Sequence, residues 1–189
     1  MTKVSTPISN NFCPQALFLY GTYKEDGSPN FGLFCWFSYC WNSDLHVMAC
    51  IGGEKLTKDR IRASGVFSAN LVTEKLLPVA DYLGNTEGRS NPEKMNIVLK
   101  TELAQVLNVP VLSDSPLSFE LEVVQTIPLD DSDIFLCRVR NVLVDEALAA
   151  EEKPFADRMK DAAPVVTTGA TYFSVGEPLG TWGQWKEHP

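Results

Sequence analysis

The sequence predicts a mainly β protein, an antiparallel barrel of short strands with a few short helices at its periphery. Two observations carry that prediction. At least six runs rich in aromatic and β-branched residues recur between Ala16 and Val175, most of them separated by tight polar turns. Only two or three short helical stretches interrupt them, and a helix does not follow every strand, which argues against a doubly wound parallel sheet.

The elements follow in order. Ala16 to Tyr23 is β-prone and ends in the turn cluster Lys24-Glu25-Asp26-Gly27-Ser28-Pro29-Asn30. Phe31 to Trp41 is a second strand, dense in aromatics, and Asn42-Ser43-Asp44 turns the chain into a third, Leu45 to Ile51. Gly52-Gly53 breaks it. Thr57 then opens a helix as N-cap, Asp59 faces the positive helix start, Ile61 is apolar and Gly65 suits the C-cap. Val66 to Val72 is a strand. Thr73 caps a second helix that carries Leu76, Val79, Ala80 and Leu83 on one face and ends at Gly84, with Pro78 a turn inside it. Asn85 to Lys94 is a polar loop. Leu117 to Ile127 and Ile134 to Val144 form a hairpin around Asp130-Asp131-Ser132-Asp133, and Val165 to Val175 is the last strand. Gly176 to Pro189 is a tail bearing Trp182 and Trp185.

The totals narrow the function classes. The chain has 189 residues and a formal net charge of −8, without a run of Lys and Arg, so a nucleic-acid backbone is repelled. A small anion remains admissible, since it needs only one or two cations and some backbone N–H groups. The longest aromatic-rich apolar run, Phe31 to Trp41, has 11 residues and cannot span a bilayer. Met1 to Asn11 does not read as a signal peptide. The five cysteines are odd in number and include no C-x-x-C, which reads as reduced thiols in a cytoplasmic protein rather than a metal site.

Familiar catalytic patterns are missing. There are two histidines, His46 in a strand-like run and His188 near the end, and no G-x-S-x-G. Gly52-Gly53-Glu54-Lys55-Leu56-Thr57 lacks the phosphate-loop spacing, and no dinucleotide fingerprint follows a strand. What remains is Thr57 at a helix start, where a hydroxyl and free N–H groups serve equally as a plain cap or as a cradle for one phosphate.

Several segments, in order, resemble the flavin reductase-like family of FMN-binding split barrels, including its flavoredoxin branch. They are Pro29-Asn30-Phe31-Gly32-Leu33-Phe34-Cys35-Trp36, the stretch from Leu56 through Ser64-Gly65 to Asn70-Leu71, and Ala80-Asp81-Tyr82-Leu83-Gly84. Glu87-Gly88-Arg89-Ser90 to Lys94, Asp114 to Leu121, Asp133-Ile134-Phe135-Leu136 and Tyr172 to Gly180 complete the set. The resemblance covers about residues 16 to 180 and implies a single FMN-binding split β-barrel domain over 1–189, with 181–189 as tail.

It also implies a site. Thr57 and Lys94, helped by Arg89, hold the FMN phosphate. Gly32, Leu33, Trp36, Phe37 and Ser38 line the isoalloxazine side, and Ile51 and Gly53 form the floor. From the residues alone, Trp36 and Phe37 read first as core. Many relatives carry a His in the Asp-rich turn; here Ser132 can hydrogen-bond but cannot shuttle a proton near neutral pH. Where relatives often place an aromatic, this chain has Val165, Val166 and Thr167. The resemblance further implies a homodimer and an oxidoreductase that moves electrons from NAD(P)H to flavin or to a redox protein partner. The alternative is an FMN-binding carrier with little NAD(P)H oxidation of its own. A flavin-free barrel that keeps the fold for another ligand is a third reading.

Overall fold

The computed structural model describes residues 2–184; Trp185 and His188 lie outside the described residues. The main sheet has seven strands, each antiparallel to its neighbours. In chain order they are β2 (Phe18–Tyr23), β3 (Pro29–Phe34), β4 (Phe37–Asn42), β5 (Asp44–Gly52), β6 (Val66–Leu71), β9 (Leu117–Pro128) and β10 (Ser132–Val144). Their spatial order is β3-β2-β6-β9-β10-β5-β4. Thus β3 and β4 occupy opposite edges, although only Cys35 and Trp36 separate them in the chain. The sheet has to curl until its edges meet at that corner. No ladder joins β3 to β4, so the barrel is split rather than closed. The expected single strand Phe31 to Trp41 is accordingly two strands. Its local pattern holds no information about which edge each half joins.

Two apolar layers follow from strand alternation. Tyr20, Val47, Ala49, Ile51, Phe67, Leu121, Phe135 and Cys137 fill the barrel interior. Aromatic packing is tight there, with Tyr20 and Phe34 ring centres 4.7 Å apart and Phe18 and Phe37 4.4 Å apart. Leu17, Leu19 and Phe31 point the other way, onto Ala80 and Leu83 of helix α2 (Leu77–Asn85). Helix α1 (Leu56–Ser64) adds Ile61 to the barrel core and ends at Gly65, whose φ of 70° is the left-handed cap that glycine takes at low cost.

The helix starts differ from expectation. Lys55, not Thr57, is the N-cap of α1, and Leu76 precedes α2, which makes Pro78 a first-turn residue with no interior bond to break. The stretch read as a loop up to Lys94 holds a 3₁₀ turn, Pro92–Met95. The expected last strand is a hairpin of β11 (Val165–Thr168) and β12 (Thr171–Ser174), turned by Gly169 and Ala170 at φ 56° and 55°. It pairs with β1 (Gln15–Ala16) as a separate three-stranded sheet. The ribbon β7 (Thr101–Leu103) with β8 (Pro110–Leu112), and helices α3 (Glu146–Ala149) and α4 (Phe155–Ala162), had no clear sequence signal.

Buried polar side chains hold the loops to this frame. Asn70 donates to the Leu19 carbonyl at 2.9 Å and accepts from the Leu112 N–H at 2.9 Å, so it ties β2 and β8 together. Glu120, fully buried, accepts from the N–H groups of Gln105, Val106 and Leu107 and from Asn141 Nδ2. Burial pushes its carboxyl pKa up, but these donors outweigh burial and hold it below the usual range. A group depressed in this way stabilises the fold above its unfolded pKa and loses that contribution as pH falls through its folded one. Glu120→Gln should therefore lower unfolding free energy by about 1.5–3 kcal/mol at pH 7. The difference should close below about pH 4. Urea unfolding at both pH values checks this, and equal stability at pH 7 contradicts it.

Candidate functional site

One end of the site is the start of α1. Lys55 has extended backbone and makes no side-chain cap, so the first-turn N–H groups keep their positive potential unspent. Thr57, 3% exposed, accepts a 3.0 Å hydrogen bond from Asn30 Nδ2, which also donates to Thr22 Oγ1 at 3.2 Å. Its oxygen thus locks α1 onto the β2–β3 hairpin. Gly32 allows that approach, because a Cβ there would lie 2.9 Å from Thr57 Oγ1 and 2.8 Å from the Phe34 ring.

Lys94 meets the same place from the 3₁₀ turn. It is 6% exposed, and among the described residues its ammonium has no hydrogen bond and no ion pair. With Gly32, Leu33, Lys55, Leu56 and Gly88 it borders a cavity of about 30 Å³. Burial lowers its pKa, Glu87 opposes that fall and Lys55 adds to it. Such an ammonium is costly unless something anionic joins it.

The other end lies at the corner between β3 and β4. Trp36 is 45% exposed and rests against Gly52, where a Cβ would stand 3.4 Å from its ring. Its carbonyl accepts from Cys50 N–H at 2.9 Å. One side of Trp36 opens on a hollow of about 360 Å³ with Gln15, Cys35, Thr167 and Thr168. The other opens on an apolar hollow of about 240 Å³ with Ser38, Met48, Cys50 and Ile134. Residues 32–38 therefore border three successive hollows along one stretch of chain.

The model of the flavin reductase like domain matches residues 10–172. The chain belongs to the flavin reductase-like family. Flavoredoxin of Desulfovibrio vulgaris (Miyazaki F) superposes with a TM-score of 0.85 at 22% identity, covering 97% of this chain and 98% of that one. An FMN-binding protein from Thermus thermophilus, crystallised with p-hydroxybenzaldehyde, superposes at 0.76 with 20% identity, covering 96% and 97%. An uncharacterized protein of Aeropyrum pernix is 29% identical over 122 residues, 64% of this chain; the match spans about half of that protein, 46% of its length.

Within this flavin reductase-like domain the expected residues fall into four sets. Gly32, Leu33, Thr57 and Lys94 converge at the start of α1. Trp36 and Ser38 gather at the corner, near Gly52 and Gly53; Ser132 pairs with Gly52, and Gly53 N–H donates to the Asp131 carbonyl at 2.7 Å. Phe37 borders the apolar hollow beside Trp36 while it packs on Phe18 and Phe119, and Ile51 turns its side chain wholly into the core, away from the hollows. Arg89 is committed: its guanidinium meets Asp59 Oδ2 at 2.5 Å and Glu54 Oε2 at 2.8 Å.

Lys55, Asn30, Gln15, Met48 and Cys50 were not foreseen. Nothing in the local sequence joins Asn30 to Thr57, 27 positions away. Asp133, beside Ser132, is buried and held by Arg62 at 2.5 and 2.8 Å, which ties α1 to β10. His46 is buried against Asp44, with Nδ1 3.0 Å from Oδ1. The five cysteines are free, and burial raises the Cys137 thiol pKa to about 12. Among the described residues no group of His, Cys, Asp and Glu is placed to hold a metal, and no helix is long and apolar enough to cross a membrane.

Proposed function

We propose that this chain binds FMN along residues 32–38, with its phosphate at the start of α1, and works as an oxidoreductase that passes electrons from NAD(P)H to flavin or a protein acceptor. The observation that carries the reading is Lys94. A nearly buried ammonium that makes no ion pair among the described residues, bordering one cavity with an uncapped helix start, suits a terminal phosphate. The names of the flavoredoxin and FMN-binding neighbours support it. Bound FMN would supply the redox chemistry, taking up and releasing electrons. The chain's own part is to grip and orient. Thr57 offers its hydroxyl and N–H, Lys94 offers charge, and Trp36 and Ser38 present an apolar wall and a hydroxyl beside the backbone of Gly52 and Gly53. Lys94→Ala should weaken FMN binding by about 1.5–3 kcal/mol, the worth of a charged hydrogen bond. Fluorescence titration with FMN measures it, and an unchanged Kd removes Lys94 from the site.

A carrier role is the second reading, favoured by Ser132. No histidine among the described residues is free near the corner, since His46 is locked on Asp44. Anaerobic addition of NADH or NADPH to the FMN-loaded protein separates the two. The enzyme loses its flavin absorbance rapidly; the carrier keeps it until a reduced partner protein is added.

A homodimer in the cytoplasm belongs to the same proposal. Inward positions on β5 and β10 fill the core, yet the outward rows are apolar too. Cys50, Ile134 and Ile127 lie side by side across three strands, next to Met48 and Leu136. Met48 and Ile127 are 42% and 41% exposed. A solvent face of an antiparallel sheet is normally polar, so this one suits burial against a second copy. The protein should run as a dimer in light scattering, and Ile127→Glu should shift it to monomer; a monomeric parent contradicts the proposal.

A further inference from the structure

The loop between α2 and the 3₁₀ turn contains a carboxylate whose two oxygens do different things. Glu87 Oε2 accepts from Arg89 N–H at 2.6 Å, Ser90 N–H at 2.8 Å and Ser90 Oγ at 3.2 Å, which builds the bend leading toward Lys94. Glu87 Oε1 is buried and has no partner among the described residues. Glu87 and Lys94 border the same cavity of about 30 Å³. An acceptor without a donor and an ammonium without an acceptor thus face one small space.

Other charges around Lys94 are accounted for. Glu54 and Asp59 are both held by Arg89, and Lys58 sits 3.7 Å from Glu54. In α2, Asp81 accepts from Tyr172 Oη at 2.6 Å. β3, from Pro29 to Phe34, has no titratable side chain. Lys55 is a like charge. Glu93, beside Lys94 in the turn, is exposed, which leaves Glu87 as the carboxylate that faces Lys94.

We propose that Glu87 is a positioning residue for the phosphate site: one oxygen shapes the loop that aims Lys94, and the other keeps its ammonium charged in a buried place. This rests on the FMN-phosphate reading. In physical terms, burial and Lys55 both favour the neutral amine, and a neutral amine grips a dianion far less. Glu87 opposes them, and so extends binding toward alkaline pH.

The test uses full-length E87Q. Glutamine keeps an oxygen for Arg89 and Ser90 and removes the charge. In flavin-free protein the ¹³Cε resonance of Lys94, assigned by its loss in K94R, is titrated with pH. Its midpoint should fall by about one pH unit in E87Q. It should stay near the parent value in E87D, which keeps the charge and serves equally if E87Q does not fold, since a parent-like midpoint is then expected and a fallen one overturns the proposal. In the loaded protein, the alkaline limit of FMN binding should move down in E87Q by the same amount. Coincident midpoints in parent and E87Q overturn the proposal, whatever FMN does. A parent that fails to bind FMN overturns the phosphate reading, while the resonance still reports on Glu87 and Lys94.

Discussion

The two-residue corner at Cys35-Trp36 is the constraint on which the rest depends. It joins the two edges of a seven-stranded sheet, so the sheet must wrap, and a wrapped sheet has an inside and a seam. The inside takes the aromatic core. The seam leaves residues 32–38 passing from one edge to the other, with a hollow on each side of Trp36. A flat, amphipathic ligand needs such a run, apolar at the walls and rich in backbone groups at the rim. Closing the ladder between β3 and β4 would complete the barrel and abolish the seam.

Buried charges sort the molecule into frame and site. Glu120 has four N–H donors, and Asp133 has both oxygens on Arg62; each is satisfied and each ties distant segments together. Lys94 is buried and makes no ion pair among the described residues, Glu87 Oε1 has no hydrogen-bond partner there, and both residues stand at one cavity. An unsatisfied buried charge costs stability, so a fold keeps it where a ligand restores the balance. The contrast also bears on the proposal that a chain of net charge −8 holds an anion. Acidic groups near α1 are absorbed by Arg89 and Arg62, and the uncapped helix start and Lys94 are left over.

The sequence showed most strands and the C-terminus of α1, because alternation and a glycine cap are local signals; Gly65 is where they predict. It misplaced the start of α1 because the Thr57 hydroxyl is taken by Asn30, a partner that only folding brings near. It fused β3 with β4, and β11 with β12, where edge choice or a two-residue turn interrupts an otherwise continuous apolar run. Of the residues that the family resemblance names, Gly32, Thr57 and Lys94 lie together at the start of α1. Arg89 does not stand free, since Glu54 and Asp59 are surface residues whose choice of partner has no sequence signature. Glu120 and Glu87 were illegible for the same reason: their donors are backbone N–H groups of loops, which every residue but proline carries.

The placement of proton-handling groups bears on what such a site can do. His46 is buried with Asp44, Asp133 is paired with Arg62, and the Cys137 thiol is held neutral by burial. Ser132, at the corner, cannot take up a proton near neutral pH. At the corner around Trp36, the groups free to act among the described residues are hydroxyls, half-buried thiols and backbone N–H, which orient and hydrogen-bond but do not provide strong acid–base catalysis. A site with that inventory suits electron and hydride traffic, where the cofactor does the chemistry and the protein supplies geometry and potential. The exposed face of Trp36 then acquires a physical meaning: with no bulky side chain from Val165 to Thr167 to cover it, whatever lies against it stays within reach of a second molecule.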